Sequence, residues 1–174
     1  MIIIRRAEAA DEQRWRELWE GYTRFYEREP VEAITRHTWA RILDPAAPVH
    51  ALVAVGESTV GESTVGESAV GESTVGESAG IVGIANYLTH ENTSTLTPVC
   101  YLQDLFVDPA ARGSGVGRRL IDALWEEVKA NGWAGLYWQT KEDNYRARAL
   151  YDSYTPHSGF VRYVLKNDSP GSAR

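Results

Sequence analysis

The 174-residue chain has one cysteine, Cys100, and four histidines. One thiol cannot close an intrachain disulfide, so a disulfide-built miniprotein is excluded, and a lone Cys suits a reducing compartment. So few His and Cys, in no paired ligand spacing, predict no metal. No window approaches the roughly 18 apolar residues of a membrane span. Met1-Ile2-Ile3-Ile4 runs at once into Arg5-Arg6, too short for a signal-peptide core, and the expected location is the cytoplasm. Basic residues are also few: 18 Lys+Arg against 24 Asp+Glu, a net charge of −6. Five of the acids, Glu57, Glu62, Glu67, Glu72 and Glu77, lie in one repeated segment, and setting them aside leaves 19 acidic residues against 18 basic. A nearly neutral remainder offers no broad basic face for nucleic acid.

What the chain does have is core material: 43% hydrophobic residues, with 6 Trp and 9 Tyr. That is enough for one domain, expected over 1–166, with a polar tail over 167–174. Residues 55–79 repeat Val-Gly-Glu-Ser-Thr/Ala five times. Glycine every fifth position opposes helix, and an odd period sends successive Val side chains to opposite faces of any strand. The segment reads as a low-complexity insert, an expanded hairpin connection or a binding element, between two strand-like runs, His50–Val55 and Ile81–Leu88.

The remaining pattern alternates. Ile2–Arg6 is a short strand. Trp15, Leu18, Trp19, Tyr22 and Tyr26 fall at helical spacing from Asp11 onward, as core or as the wall of a binding pocket. A second helix spans about Val31–Leu43, ended by Asp44-Pro45. A long strand, Val99–Val107, is followed by a glycine turn, a helix Val116–Ala130, a strand Leu136–Gln139, a helix Asn144–Tyr154 and a last strand Phe160–Leu165. The order is βααβββαβαβ.

Two stretches carry chemistry. In Arg112-Gly113-Ser114-Gly115-Val116-Gly117-Arg118-Arg119 a strand end turns into a helix start, where free N–H groups and the positive dipole end suit a phosphate or pyrophosphate, with arginines adding charge. The plain alternative is a strand-to-helix turn with Gly for geometry. A Rossmann loop would need Gly where Arg118 stands, and a Walker loop needs Gly-Lys-Ser/Thr, which is absent. In the second stretch Asn144 and Tyr151 are seven apart and share a helical face with Ala147 between them. Alone, that pair reads equally as an N-cap and a rim tyrosine. Cys100 shares a strand face with Leu102, which suits a buried thiol better than a nucleophile. His157 is a loop histidine, solvated or a base.

Together these pieces resemble the GNAT superfamily of acetyl-coenzyme A dependent N-acetyltransferases, over nearly the whole chain except the repeat. Arg112, Gly115 and Gly117 match the family's Gln/Arg-x-x-Gly-x-Gly/Ala, and Asn144, Ala147, Leu150, Tyr151, Gly159 and Phe160 match its Asn…Ala-x-x-Leu-Tyr…Gly-Phe. Trp19-Glu20-Gly21-Tyr22, Phe25-Tyr26 and Tyr101–Val107 look closest to the histone-acetyltransferase-like and diamine-acetyltransferase branch. The resemblance implies an α/β (α+β mixed) GNAT fold, a bent mixed sheet flanked by about four helices, with acetyl-CoA in the cleft where the fourth and fifth strands splay. It implies that the backbone of Leu105, Phe106 and Val107 holds the acetyl carbonyl and pantetheine arm. Arg112, Gly113, Ser114, Gly115, Val116, Gly117 and Arg118 would cradle the pyrophosphate, and Asn144 would bind the cofactor arm. Tyr151 would protonate the departing thiolate, and a homodimer or larger assembly is expected.

The implied reaction is acetyl transfer to a primary amine, with a polyamine or amino acid favoured over a protein lysine. An oxyanion must be stabilised and a thiolate must leave, which suits N–H donors and a phenol. The amine is an ammonium at neutral pH and needs a base. Where the diamine branch carries Glu-Asp this chain has Gln103-Asp104, leaving Asp104 as base through water or as the structural partner of an Arg. A non-catalytic acetyl-CoA sensor or interaction module is the alternative function.

Overall fold

The computed structural model describes residues 1–56, 80–165 and 167. The element order is β1 (Ile3–Arg6), α1 (Glu12–Phe25), α2 (Glu32–Leu43), β2 (Val49–Gly56), β3 (Gly80–His90), β4 (Val99–Val107), α3 (Val116–Ala130), β5 (Leu136–Trp138) and α4 (Tyr145–Tyr151), with short 3-10 turns at Ala9–Asp11 and Pro109–Ala111. The strands form one mixed sheet in the order β1-β2-β3-β4-β5, antiparallel except for the parallel β4–β5 pair. This is the mixed α/β fold with four helices that the pattern implies.

Strand alternation sorts the sheet into two faces, each buried by its own helices. On one, Trp15, Leu18 and Tyr22 of α1 and Trp39 and Ile42 of α2 pack on Val53, Ile84 and Phe106. On the other, Val116, Leu120, Ile121, Leu124 and Val128 of α3 pack on Leu52, Ala85, Cys100 and Leu102. The second helix stripe repeats at i, i+4, i+5, i+8 and i+12, so a single face of α3 supplies that core. Gly83 lets α3 come close, since a Cβ there would stand 2.9 Å from Val116 Cγ1 and 3.2 Å from the Phe106 carbonyl oxygen.

The predicted hairpin pairing of β2 with β3 is present, and β2 runs on into the first repeat unit, where Val55 and Gly56 pair with Ile81 and Gly80. The rest of the repeat, 57–79, lies outside the described residues. The last helix is shorter than its pattern suggests, ending at Tyr151 because Ser153, Tyr154 and Thr155 turn back onto Leu150 and Tyr151. The expected strand Phe160–Leu165 does not form among the described residues. Its side chains are exposed, and β5, the outermost strand on that side, is only three residues long and offers little ladder to join.

Candidate active site

The site begins where β4 outruns its parallel neighbour. Pairing with β5 stops at Leu102↔Trp138, while β4 continues to Val107. On its other side β4 stays paired with β3, and a bulge makes Gln103 the extra residue, because Asn86 faces Asp104 while Tyr87 faces Leu102. Beyond the bulge Asp108 N–H bonds the Val82 carbonyl at 2.9 Å. By alternation Asp104 and Phe106 then aim their backbone groups at β3, whereas those of Leu105 and Val107 aim into the gap left by β5. Of the three expected backbone contacts, these two face the open side.

The glycine turn closes the end of that gap. Gly113 and Gly115 have φ of +88° and +82°, a region costly for any residue with a Cβ. Gly115 is the N-cap of α3 and supplies no side-chain cap, so the first-turn N–H groups stay uncapped at the positive end of a 15-residue helix. Ser114 Oγ donates to the Ala111 carbonyl at 2.6 Å and pins the turn. Arg112 Nε donates to the Val107 carbonyl at 3.0 Å, its guanidinium 5.3 Å from the Phe106 ring centre. Arg118 donates to Ser153 Oγ at 2.8 Å and lies over the Tyr154 ring. Both arginines are thus oriented and keep further N–H donors.

Across the gap stand the residues of α4. Tyr151 packs its ring 5.5 Å from that of Trp138, where β5 ends. Its hydroxyl makes no hydrogen bond among the described residues, and burial, helped by Tyr26, pushes its pKa up to about 12. The phenol is therefore protonated and able to donate at neutral pH. Asn144 caps α4, accepting from Ala147 N–H at 3.4 Å, and its amide donates to Thr140 Oγ1 at 2.9 Å. The structure thus shows the capping role; the amide's second hydrogen is what remains for a ligand.

On the opposite face lies a buried polar chain. Trp15 Nε1 donates to Asn86 Oδ1 at 3.0 Å, and Asn86 Nδ2 donates to Asp104 Oδ2 at 3.3 Å. An indole can only donate, so Trp15 fixes which end of the Asn86 amide points at the carboxylate. The Tyr22 hydroxyl lies against both Asp104 and the Gln103 carbonyl, 3.4 Å away. Burial pushes the Asp104 pKa up to about 6, and the Tyr22 and Asn86 hydrogen bonds and the charge of Arg28 hold it from rising further. Asp104 has no Arg within ion-pair distance among the described residues, and Arg28 acts on it through its charge alone. Arg14 instead pairs with Asp108.

Other positions follow simply. Cys100 is fully buried, and burial pushes its thiol up to about 12, so it is no nucleophile. Gln103 and His157 are exposed. The aromatic stripe divides, with Trp15, Leu18 and Tyr22 in the core while Trp19 and Tyr26 are half-buried at its rim. Tyr26 lines a cleft of about 330 Å³ with Phe25, Lys141, Asp143, Asn144, Tyr145 and Arg146. Sequence reasoning missed Asn86, although an amide inside the apolar run Ile81–Leu88 was its signal. It also missed Arg28 and Lys141, for which no local pattern exists.

The chain belongs to the acetyltransferase (GNAT) family, whose model matches residues 12–154, and is by that membership an N-acetyltransferase. Acetyl-CoA is the family's acetyl donor. The chain is similar to a D-amino-acid N-acetyltransferase, HPA3, of Saccharomyces cerevisiae, 29% identical over 162 residues that cover 93% of this chain and 89% of the relative. In fold it is similar to a transcriptional regulator of Bacillus halodurans C-125, with a TM-score of 0.73 at 16% identity over 96% of this chain and all of the other. It also resembles AAC(6')-Iy in complex with a CoA bisubstrate analog, with a TM-score of 0.72 at 18% identity over 96% and 99% of the two chains. At such identities these two likenesses concern fold alone.

Proposed function

We propose that this enzyme moves the acetyl group of acetyl-CoA to the primary amine of a small molecule, a polyamine or an amino acid, by direct attack. The carrying observation is the gap beside β4, into which the Leu105 and Val107 backbone groups aim, bounded by the uncapped start of α3 and by the protonated Tyr151 phenol. The name of the yeast relative supports an amino acid. Acetyl-CoA would lie along the gap with its pyrophosphate on the turn from Arg112 to Arg118, its arm beside Asn144 and its carbonyl against the Leu105–Val107 edge.

Asp104, with a pKa near neutrality, is mostly ionised at pH 7 yet basic enough to take a proton from the acceptor ammonium, directly or through water. The freed amine attacks the thioester carbon, a C–N bond forms and the carbonyl becomes an oxyanion held by N–H donors. Collapse breaks the C–S bond, Tyr151 gives its proton to the departing thiolate, and the second proton on the new amide nitrogen passes to the Tyr151 phenolate, so that the net proton released is the one taken by Asp104. The test is thiol release across an amine panel, with acetyl-CoA binding followed by calorimetry. Turnover lost in Tyr151→Phe with binding retained supports the assignment, and full turnover in that variant overturns it. Wild-type binding without turnover on any amine would favour a sensor.

A further inference from the structure

The turn that follows α1 is built to place one side chain. Arg28 N–H bonds the Thr23 carbonyl at 3.1 Å and Glu27 N–H bonds the Arg24 carbonyl at 2.9 Å, the paired bonds of a Schellman C-cap. Glu27 occupies the left-handed position, φ +56°, where glycine is usual. The strained backbone folds Arg28 back over the helix end, its guanidinium carbon 5.7 Å from the Tyr22 ring centre and 5.8 Å from that of Tyr26. From the loop after β5, Lys141 Nζ comes to 5.7 Å from the same Tyr26 ring. Two cations from segments more than a hundred residues apart thus meet on one tyrosine.

That tyrosine stands near the reacting groups, acting electrostatically on the Tyr151 phenol as Arg28 does on Asp104. Tyr26 lines the 330 Å³ cleft together with Lys141 and Arg146, and Asp143 is the cleft's single carboxylate. Neither Arg28 nor Lys141 has an ion-pair partner among the described residues, although Glu29 lines the same small neighbouring hollow as Arg28. Lys141 lines this cleft and Arg28 lines the hollow on the other side of the Tyr22–Tyr26 pair it covers, and a guanidinium fork and an ammonium on one tyrosine suit a carboxylate. The same charges repel a second ammonium, since they lie within a Debye length, about 8 Å at physiological salt.

We infer that Arg28 and Lys141 are a carboxylate-reading pair, and that the amine acetylated here carries its own carboxylate: an amino acid, not a polyamine. This rests on the acetyl transfer proposed above. An amino acid would set its ammonium toward Asp104 and Tyr151 and its carboxylate back toward Arg28 and Lys141.

The experiment measures thiol release with amino acids of both hands, each beside its own carboxamide, and with putrescine and spermidine. The best amino acid is expected to exceed its amide and both polyamines by about tenfold or more in kcat/KM. In Arg28→Gln that ratio collapses toward one through a raised KM, and Lys141→Gln lowers it partway. Thermal melting and acetyl-CoA binding confirm that each variant is folded, and Lys141→Gln, in a loop, keeps the test open if Arg28→Gln is not. Turnover that is as good on amides or polyamines, or a ratio unmoved in a folded Arg28→Gln or Lys141→Gln, overturns the pair while leaving acetyl transfer standing. No turnover on any amine overturns both.

Discussion

The two faces of the sheet meet the same reaction in different ways. On the α3 and α4 face the chemistry is made by backbone: the open edge of Leu105 and Val107, two left-handed glycines and a helix start. These lie within one short stretch of chain, 105–118, with Tyr151 added from α4. On the α1 face it is made by side chains that only folding brings together: Trp15, Asn86 and Asp104, joined at 3.0 and 3.3 Å and all nearly inaccessible to water. Backbone sites tolerate change in side chains but demand particular turns, whereas the buried chain depends on the direction of each hydrogen bond along it.

The largest effect expected is on the first face. Tyr151→Phe should lower kcat by roughly 10²–10⁴, the range general acids contribute, while calorimetry still detects acetyl-CoA. If kcat holds, the phenol belongs to packing and the proton comes from elsewhere.

Asp104→Asn sharpens the contrast with the second face, because activity and stability should move in opposite directions. Its loss should abolish the acidic limb of the kcat/KM profile, expected near pH 6. The folded pKa is raised above the ordinary carboxylate value of 3.8, so the stabilising protonated form is fully present below about pH 3.8 and is lost as pH rises through about 6. At pH 8 the buried charge costs on the order of 2–3 kcal/mol, so the Asn variant should melt higher than wild type there and gain little at pH 4. Chemical denaturation at the two pH values is the check, and an equal change at both would contradict it.

Gly83→Ala probes how tightly the two faces are joined. The new methyl meets Val116 and the Phe106 carbonyl, and the expected loss is about 1–3 kcal/mol in urea unfolding, with kcat little changed in the folded fraction. The smallest effect should come from Asp11→Asn, at the edge of the α1 face. Arg5 holds the Asp11 carboxyl below its ordinary range, so that stability is present above pH 3.8 and is lost as pH falls through the depressed value. Removing it should cost on the order of 1 kcal/mol at pH 7 and nothing in strong acid, by melting across the pH series.

Legibility followed the range of the interactions. The span of β4, Val99–Val107, and that of α3, Val116–Ala130, agree with their sequence patterns because apolar periodicity is local. The glycine turn was legible for the same reason. Phe160–Leu165 alternates like a strand, yet alternation describes a willingness to pair and cannot provide the neighbouring edge. Asn144 read equally as cap and ligand because both uses need the same amide at a helix start.

The sequence by itself determined the family, the two motifs and the order of elements through α4, since these depend on residue type at short spacing. Only the tertiary structure decided which carboxylate sits in the dark of the core with a pKa near neutrality, which end of Asn86 faces it, and which two cations meet on Tyr26. Burial, hydrogen-bond direction and the convergence of charges are properties of distances in space, and residues 71 or 113 positions apart have no such distance until the chain is folded.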